Sequence, residues 1–177
     1  MAEQIIVELI DGSDPLSSDK LLQQFDQSGI AHKTVEHEPM WTVEDAKKLR
    51  TPSPYGHCKN LFVRNKKGAM WLLTLHEDRK VDLKQAASLV GTNRFSFASP
   101  QRLMHYLGVI SGSVSPLSLV NDIRGEVTFY MDELLMTAPE LHVHPLINTR
   151  TTTMERQALL SYVESTGHRC HVLSFPD

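Results

Sequence analysis

Histidine and cysteine stand side by side at one point of the sequence, where Cys58 follows His57. A thiol acts as a nucleophile when a base activates it, but in Cys/His sites the two partners meet in space and are seldom neighbours in sequence. No further motif accompanies this pair. We therefore interpret Cys58 as a small, partly buried residue rather than a nucleophile.

The nine histidines of the chain raise the question of a metal site. His142 and His144 would share one face of a strand, and His168, Cys170 and His171 form a second group further along. A catalytic zinc site needs about three protein ligands and one open position. The sequence has neither an HExxH motif nor a CxxC pair. We predict no metal site and keep a metal-dependent hydrolase as the alternative that elemental analysis would reveal.

A third candidate is a run of small residues that ends in proline: Gly112, Ser113, Val114, Ser115 and Pro116. Such a loop can leave backbone N–H groups exposed beside a ligand. Taken alone, a run of this kind is a plain loop in most proteins. It indicates a site only in combination with other residues.

Helices must position these residues, and five are predicted from capping residues and apolar spacing. They are expected to begin near Ser17, Thr42, Asp82, Ser99 and Thr153. Thr42 and Asp45 have the spacing of a capping box, and Pro100 suits the first turn of the fourth helix. The fifth helix is expected to end at Gly167.

Strands are predicted from short β-branched and aromatic runs at residues 61–63, 69–75, 94–98, 127–131 and 171–175. The first two flank a turn at residues 65–68, which is a hairpin signal. A strict strand–helix–strand alternation is missing around this hairpin. We therefore predict an α+β fold with a mixed central β-sheet flanked by helices.

Length and composition favour one globular domain. The chain has 177 residues with 41% hydrophobic and 22% charged residues, which excludes disordered and fibrous classes. No linker divides residues 1–177. The longest apolar run, residues 70–73, is far shorter than the roughly 20 residues that span a bilayer. Two cysteines form no disulfide framework and the N-terminus has no signal-peptide pattern, so we expect a cytoplasmic protein with no membrane partner.

Basic residues are concentrated in one segment. Between Lys47 and Lys67 there are seven basic residues and no acidic one, although the whole chain has a formal charge of −3. The segment comprises Lys47, Lys48, Arg50, Lys59, Arg64, Lys66 and Lys67. Such a concentration could steer a phosphate-bearing ligand, or it could be a solvated face.

Three of these features occur in a recognisable order: Lys59-Asn60-Leu61-Phe62, then the run 112–116, then His144-Pro145-Leu146 with Asn148. Together they resemble the YbaK family and the related editing domain of bacterial prolyl-tRNA synthetases, over residues 21–175. The segment Glu36-His37-Glu38-Pro39 also resembles the family. The most similar branch is that of the free-standing alanyl-tRNA(Pro) deacylases, known as ProXp-ala. Residues 1–16 do not align and form an N-terminal extension of the single domain.

The resemblance implies a role for each matched residue. Lys59 matches the essential lysine and Asn60 its substrate-binding neighbour. Gly112, with Ser113 and Pro116, matches the loop that holds the end of the substrate. His144 matches a histidine that lines the aminoacyl pocket. Lys59, Gly112 and His144 are accordingly the predicted catalytic residues.

The function that the resemblance implies is trans-editing: hydrolysis of the ester that joins a wrong amino acid to tRNA, with Ala-tRNA(Pro) as the implied substrate. No cofactor is expected, because an activated ester needs mainly positioning and oxyanion stabilisation. The implied partners are the 3′ acceptor end of aminoacyl-tRNA and prolyl-tRNA synthetase, and not DNA. Cys-tRNA(Pro) deacylation and a non-catalytic tRNA-end-binding module remain alternatives.

Overall fold

The computed structural model describes residues 4–49, 53 and 55–176. Within them the helices are α1 (Ser18–Gln27), α2 (Val43–Leu49), α3 (Leu83–Leu89), α4 (Pro100–Leu107) and α5 (Arg156–Ser165). The strands are β1 (Lys33–Glu36), β2 (Cys58–Arg64), β3 (Met70–His76), β4 (Ser96–Phe97), β5 (Val127–Asp132), β6 (Glu140–Val143), β7 (Arg150–Glu155) and β8 (Cys170–Leu173). The α+β class is confirmed.

Capping residues fix the helix starts as the sequence predicts. The side chains of Ser17, Asp82 and Ser99 each accept a hydrogen bond from a backbone N–H in the first turn of α1, α3 and α4. The capping box of α2 is reciprocal: Asp45 N–H donates to Thr42 Oγ1 at 3.0 Å, and Thr42 N–H donates to the Asp45 carboxylate at 3.2 Å.

The central sheet has the strand order β4-β2-β3-β5-β8. Strand β2 runs antiparallel to β3 and β4, whereas β3, β5 and β8 are parallel to one another. The predicted mixed sheet is therefore confirmed. One face packs against α1, α4 and α5, and the other against α3.

A second, antiparallel sheet with the order β1-β7-β6 differs from the prediction. Strands β1 and β7 were not predicted, β6 was considered only as a strand that would carry His142 and His144, and the expected start of the last helix at Thr153 is wrong. Thr153 pairs with Lys33 of β1 and with His142 of β6, so that α5 begins only at Arg156. The threonine run that precedes the helix is β-branched, and such residues favour a strand over a first helical turn.

The inner face of this second sheet joins the main core through Leu141, Val143 and Met154. Every second side chain of these strands points to the outer face, and those of His142 and Thr153 line a groove there. No helix in the described part of the chain is long and apolar enough to cross a membrane.

Candidate active site

A groove of about 770 Å³ lies on the outer face of the second sheet. One wall is the chain that leads into β2, and the other is formed by the residues around β1 and α2. Its polar lining includes His37, His57, Cys58, Asn60, Glu77, His142, His144, Thr151 and Thr153. With His32, which also lines it, the groove thus collects five histidines from three separate parts of the chain.

His144 is held as a neutral imidazole with one free nitrogen. Its Nδ1 donates to the carbonyl of Arg150 at 2.7 Å, which leaves Nε2 as the acceptor. Burial lowers the pKa of His144, and the nearby His37 lowers it further, against the effect of the Arg150 carbonyl. The two imidazole centroids are 6.1 Å apart. No described residue forms a hydrogen bond to His144 Nε2, which is therefore available to a substrate or a water.

His37 is a site residue that the chemical reasoning from sequence did not single out. Its Nδ1 donates to the carbonyl of Glu38 at 2.7 Å, so that its Nε2 accepts from the hydroxyl of Thr151 at 2.7 Å. The only signal for it was the short match of residues 36–39 to the family.

Two further groove histidines stack on each other. The rings of His57 and His142 are 4.4 Å apart and nearly parallel at 14°. His142 also hydrogen-bonds Thr153 Oγ1 at 2.7 Å. His142 and His144 share one face, as their spacing predicts.

The second histidine group does not join them. His168 is buried against Asp122, with Nε2 at 2.7 Å from the carboxylate, and His171 stacks on Tyr130. Within the described ranges, no group of three or more histidine, cysteine or acidic side chains could hold a metal ion.

Cys58 and Asn60 point into the groove from β2. Burial, with a contribution from the charge of Glu77, raises the pKa of the Cys58 thiol to about 12. The thiol is therefore protonated at neutral pH, and it contacts the carbonyl of His142 at 3.4 Å. Asn60 Oδ1 accepts a hydrogen bond from the buried hydroxyl of Thr74 at 2.6 Å, which fixes the amide at the groove wall.

Lys59 lies between these two residues in sequence but is not part of the groove lining. Successive side chains of a strand point to opposite faces. The Lys59 ammonium donates instead to the carbonyl of Arg79 in the turn after β3. Its assignment to the ester stays a prediction.

The loop 112–116 lies against the segment that carries His144. Ser115 Oγ donates to the His144 carbonyl at 2.6 Å, and Pro116 is buried at the start of a short 3₁₀ helix. Ser113 N–H is used within the turn, where it donates to Ile110 at 3.1 Å. Ser113 Oγ is buried and has no hydrogen-bond partner among the described residues.

Gly112 is enclosed by two side chains. Its φ is +88°, and a Cβ there would lie 2.9 Å from Trp41 Cε3 and 3.4 Å from Asn148 Nδ2. Asn148 is 6% exposed, and its Nδ2 has no hydrogen-bond partner among the described residues. No backbone partner is found there for Gly112 N–H either. Buried polar atoms without partners are rare, and the presence of two of them, Ser113 Oγ and Asn148 Nδ2, beside one loop indicates a binding site.

The structure separates the basic segment into two places. Lys47 and Lys48 lie on α2, next to the groove-lining Ala46, and Lys47 pairs with Asp78 at 2.7 Å. Lys66 and Lys67 lie in the turn at the opposite end of β2. Arg50 falls outside the described residues.

Comparisons with known proteins show which family the chain belongs to. A family model described as the aminoacyl-tRNA editing domain matches residues 37–162. The prolyl-tRNA editing protein ProX of Acetoanaerobium sticklandii is 32% identical over 149 residues, which cover 84% of this chain and 91% of that protein. A prolyl-tRNA synthetase associated domain-containing protein of Bos taurus is 31% identical over 160 residues, which cover 88% of this chain and 93% of that protein.

A solved structure shows the same fold. It belongs to a chain described as a candidate trans-editing enzyme for prolyl-tRNA synthetase, and it superposes with a TM-score of 0.66 at 23% identity. The match covers 91% of this chain and 99% of that one. These matches confirm the family resemblance that was based on the three ordered motifs, and the chain therefore belongs to the aminoacyl-tRNA editing domain family of deacylating enzymes.

Proposed function

We propose that this enzyme hydrolyses Ala-tRNA(Pro) in trans and thereby removes alanine from tRNA that should carry proline. The observation that supports the proposal most directly is that donors without partners lie at the loop 112–116, which is bonded to the segment that carries an acceptor without a partner. Gly112 N–H and Asn148 Nδ2 are the donors and His144 Nε2 is the acceptor, each without a hydrogen-bond partner among the described residues, and Ser115 Oγ joins the loop to the His144 carbonyl. An ester and an attacking water need both kinds of group.

The reaction needs no covalent intermediate. The oxygen of a water adds to the ester carbonyl carbon, and the negative charge that develops on the carbonyl oxygen is stabilised by N–H donors such as those of Gly112 and Asn148. The bond between that carbon and the ribose oxygen then breaks. The proton lost by the water ends on the ribose hydroxyl, and the free amino acid leaves. A neutral His144 can accept a proton from the water or orient it, and the lowered pKa keeps the ring in this neutral form.

Lys59 supplies a fixed positive charge in this proposal. It acts on the terminal phosphate or on the developing oxyanion, while Asn60, Ser113 and Pro116 shape the site that receives the substrate end. The protonated state of Cys58 favours water over a thiolate as the nucleophile.

Alanine is chosen over proline by exclusion. One methylene in an apolar pocket is worth only about 1–3 kcal/mol, so attraction alone separates similar amino acids poorly. A close-packed wall resists an added ring more strongly. We assign that wall to His144, with the buried Met40 beside it in the groove lining.

A deacylation panel tests the proposal. Alanyl-, cysteinyl-, seryl- and prolyl-tRNA(Pro) are incubated with the purified protein at neutral pH, with uncatalysed hydrolysis subtracted. We expect the fastest turnover on alanyl-tRNA(Pro) and none on prolyl-tRNA(Pro). Faster turnover of the cysteinyl ester would identify a Cys-tRNA(Pro) deacylase, and binding without turnover would identify a tRNA-end-binding module. We further propose that the enzyme works in the cytoplasm, alongside prolyl-tRNA synthetase.

A further inference from the structure

The Arg79 residue joins a buried carboxylate to the Lys59 ammonium. Arg79 Nε and Nη2 donate to the two oxygens of Asp132 at 2.5 and 2.7 Å, which is a bidentate pair. The Asp132 side chain is completely buried. The backbone carbonyl of the same arginine accepts a hydrogen bond from Lys59 Nζ.

Asp132 is held by more than this ion pair. Its carboxylate also accepts from the backbone N–H groups of His76 and Leu134, each at 3.0 Å. Burial opposes ionisation, but the Arg79 pair and the two backbone bonds outweigh it and hold the pKa of Asp132 below its usual value. Phe175 covers the Arg79 guanidinium, with 4.3 Å to the ring centroid. The turn after β3 is thus fixed to the end of β5.

Lys59 is held in place without losing its charge. A neutral carbonyl oxygen orients an ammonium group, whereas a carboxylate would also neutralise it. Lys59 forms no ion pair with any residue in the described part of the chain, while the carboxylate of Asp132 is occupied by Arg79. The cation therefore has no ion-pair partner among the described residues. Its neighbours Cys58 and Asn60 line the groove, while its own side chain extends from the other face of β2 to the turn after β3, which also carries the groove-lining Glu77.

We infer that the Arg79–Asp132 ion pair is the positioning device for Lys59 in deacylation. The pair fixes the carbonyl that holds the ammonium, so that a full positive charge is in place before the anionic end of the substrate arrives. A preorganised charge needs no rearrangement at the moment of reaction. The inference rests on the proposed function, because it uses the charge-stabilising role given there to Lys59. Arg79 and Asp132 act only through Lys59 and are positioning residues.

A double-mutant cycle separates positioning from simple support of the fold. Lys59→Ala, Asp132→Asn and the double variant are assayed on alanyl-tRNA(Pro) after circular dichroism has confirmed that each is folded. We expect Lys59→Ala to lower kcat about 10²-fold, as for a lost oxyanion donor. Asp132→Asn should lower kcat by about 10- to 100-fold with KM nearly unchanged, because a misplaced charge loses its effect on the transition state. In the Lys59→Ala background it should change kcat less than about twofold, since no charge is left to position.

Arg79→Lys provides a second route should Asp132→Asn fold poorly. It keeps a cation opposite Asp132 but loses the rigid bidentate fork that fixes the turn. We expect the same pattern, with a clear loss of kcat when Lys59 is present and little further loss when it is absent.

Asp122 is a matched control elsewhere in the core. Its side chain is equally buried and pairs with His168 at 2.7 Å, and it also accepts from Val127 N–H at 2.8 Å. Asp122→Asn should change kcat by the same small factor with or without Lys59.

Three results would overturn the inference. If Asp132→Asn and Arg79→Lys lower activity by equal factors in both backgrounds, the ion pair only supports the fold. Normal turnover by Lys59→Ala would also overturn it, although the deacylase function would stand. A wild-type protein that hydrolyses none of the mischarged tRNAs would overturn the proposed function and this inference with it.

Discussion

The His144 ring is buried, its Nδ1 donates to the Arg150 carbonyl, and its Nε2 has no hydrogen-bond partner among the described residues. These three features determine how activity should respond to acid. The neutral form is the one that can accept a proton, so the rate should fall only when the ring becomes protonated. Because burial lowers its pKa below the ordinary value of 6.5, the decline of kcat/KM in acid should have its midpoint below pH 6.5. Rates between pH 5 and 7.5 check this. A decline centred above pH 6.5 would show that another group controls the rate.

His144 should also determine which amino acids are accepted. His144→Ala widens the pocket, so larger aminoacyl groups should be hydrolysed better relative to alanine, serine first and proline afterwards. Ratios of kcat/KM across the tRNA(Pro) panel measure this selectivity. Equal losses on every substrate would instead assign His144 to catalysis or support alone.

For Cys58, in contrast to His144, we expect substitution to have little effect on activity. A thiol whose pKa is raised to about 12 holds almost no thiolate at neutral pH, so Cys58→Ser should keep kcat within about threefold of wild type. The thiol also contacts the carbonyl of His142, a bond that a serine hydroxyl can replace. Loss of most of the activity in Cys58→Ser would support the thiol nucleophile instead. Inhibition by EDTA that zinc reverses would support the metal-dependent hydrolase.

At the scale of elements, the loop 112–116 depends on one glycine. Gly112→Ala strains a backbone with a φ of +88° and pushes on Trp41, which is 58% exposed and able to move aside. Gly91 is a matched control, because its φ is +83° and a Cβ there meets nothing within 4 Å. Both variants should lose about 1 kcal/mol of unfolding free energy in urea. Only Gly112→Ala should also lose kcat/KM, by about tenfold or more, because the donors beside the ester shift. Equal activity in the two variants would remove this loop from the site.

Local signals in the sequence predicted the central sheet and the starts of α1 to α4, and long-range pairing accounts for what was missed. Ser17, Asp82 and Ser99 cap helices through contacts within a few residues of themselves. Strand β1 has only Val35 as an apolar residue, and β7 begins with an arginine and three threonines. Neither pattern alternates clearly, and each becomes a strand only when it meets the other. The same holds for the candidate site: the resemblance predicted both Lys59 and His144, of which only His144 lines the groove, and the Arg79–Asp132 pair has no sequence signature.

Across the whole molecule, charge should guide the tRNA unevenly. Lys48 lies on α2 beside the groove, whereas Lys66 and Lys67 are six or seven residues along β2 and its turn from Asn60, or roughly 20 Å. Lys48→Gln should raise KM and leave kcat nearly intact. It should also lower the slope of log KM against log salt concentration by just under one, which corresponds to one phosphate contact. A Lys66→Gln/Lys67→Gln double variant should change neither quantity. If both variants have the same effect, tRNA covers the whole hairpin, and if neither has one, the basic segment is only a solvated face.

The pairing of Lys33 in β1 with Thr153 in β7 has a consequence for how the protein folds. Sites that join distant parts of a chain form late, because a long loop must close before the contacts stabilise it. The hairpin of β2 and β3 can form early from neighbouring residues, but the floor of the groove needs both ends of the sequence. Amide hydrogen exchange at β1 should therefore report on the integrity of the editing site. During synthesis, the enzyme should stay inactive until β7 has emerged and found β1.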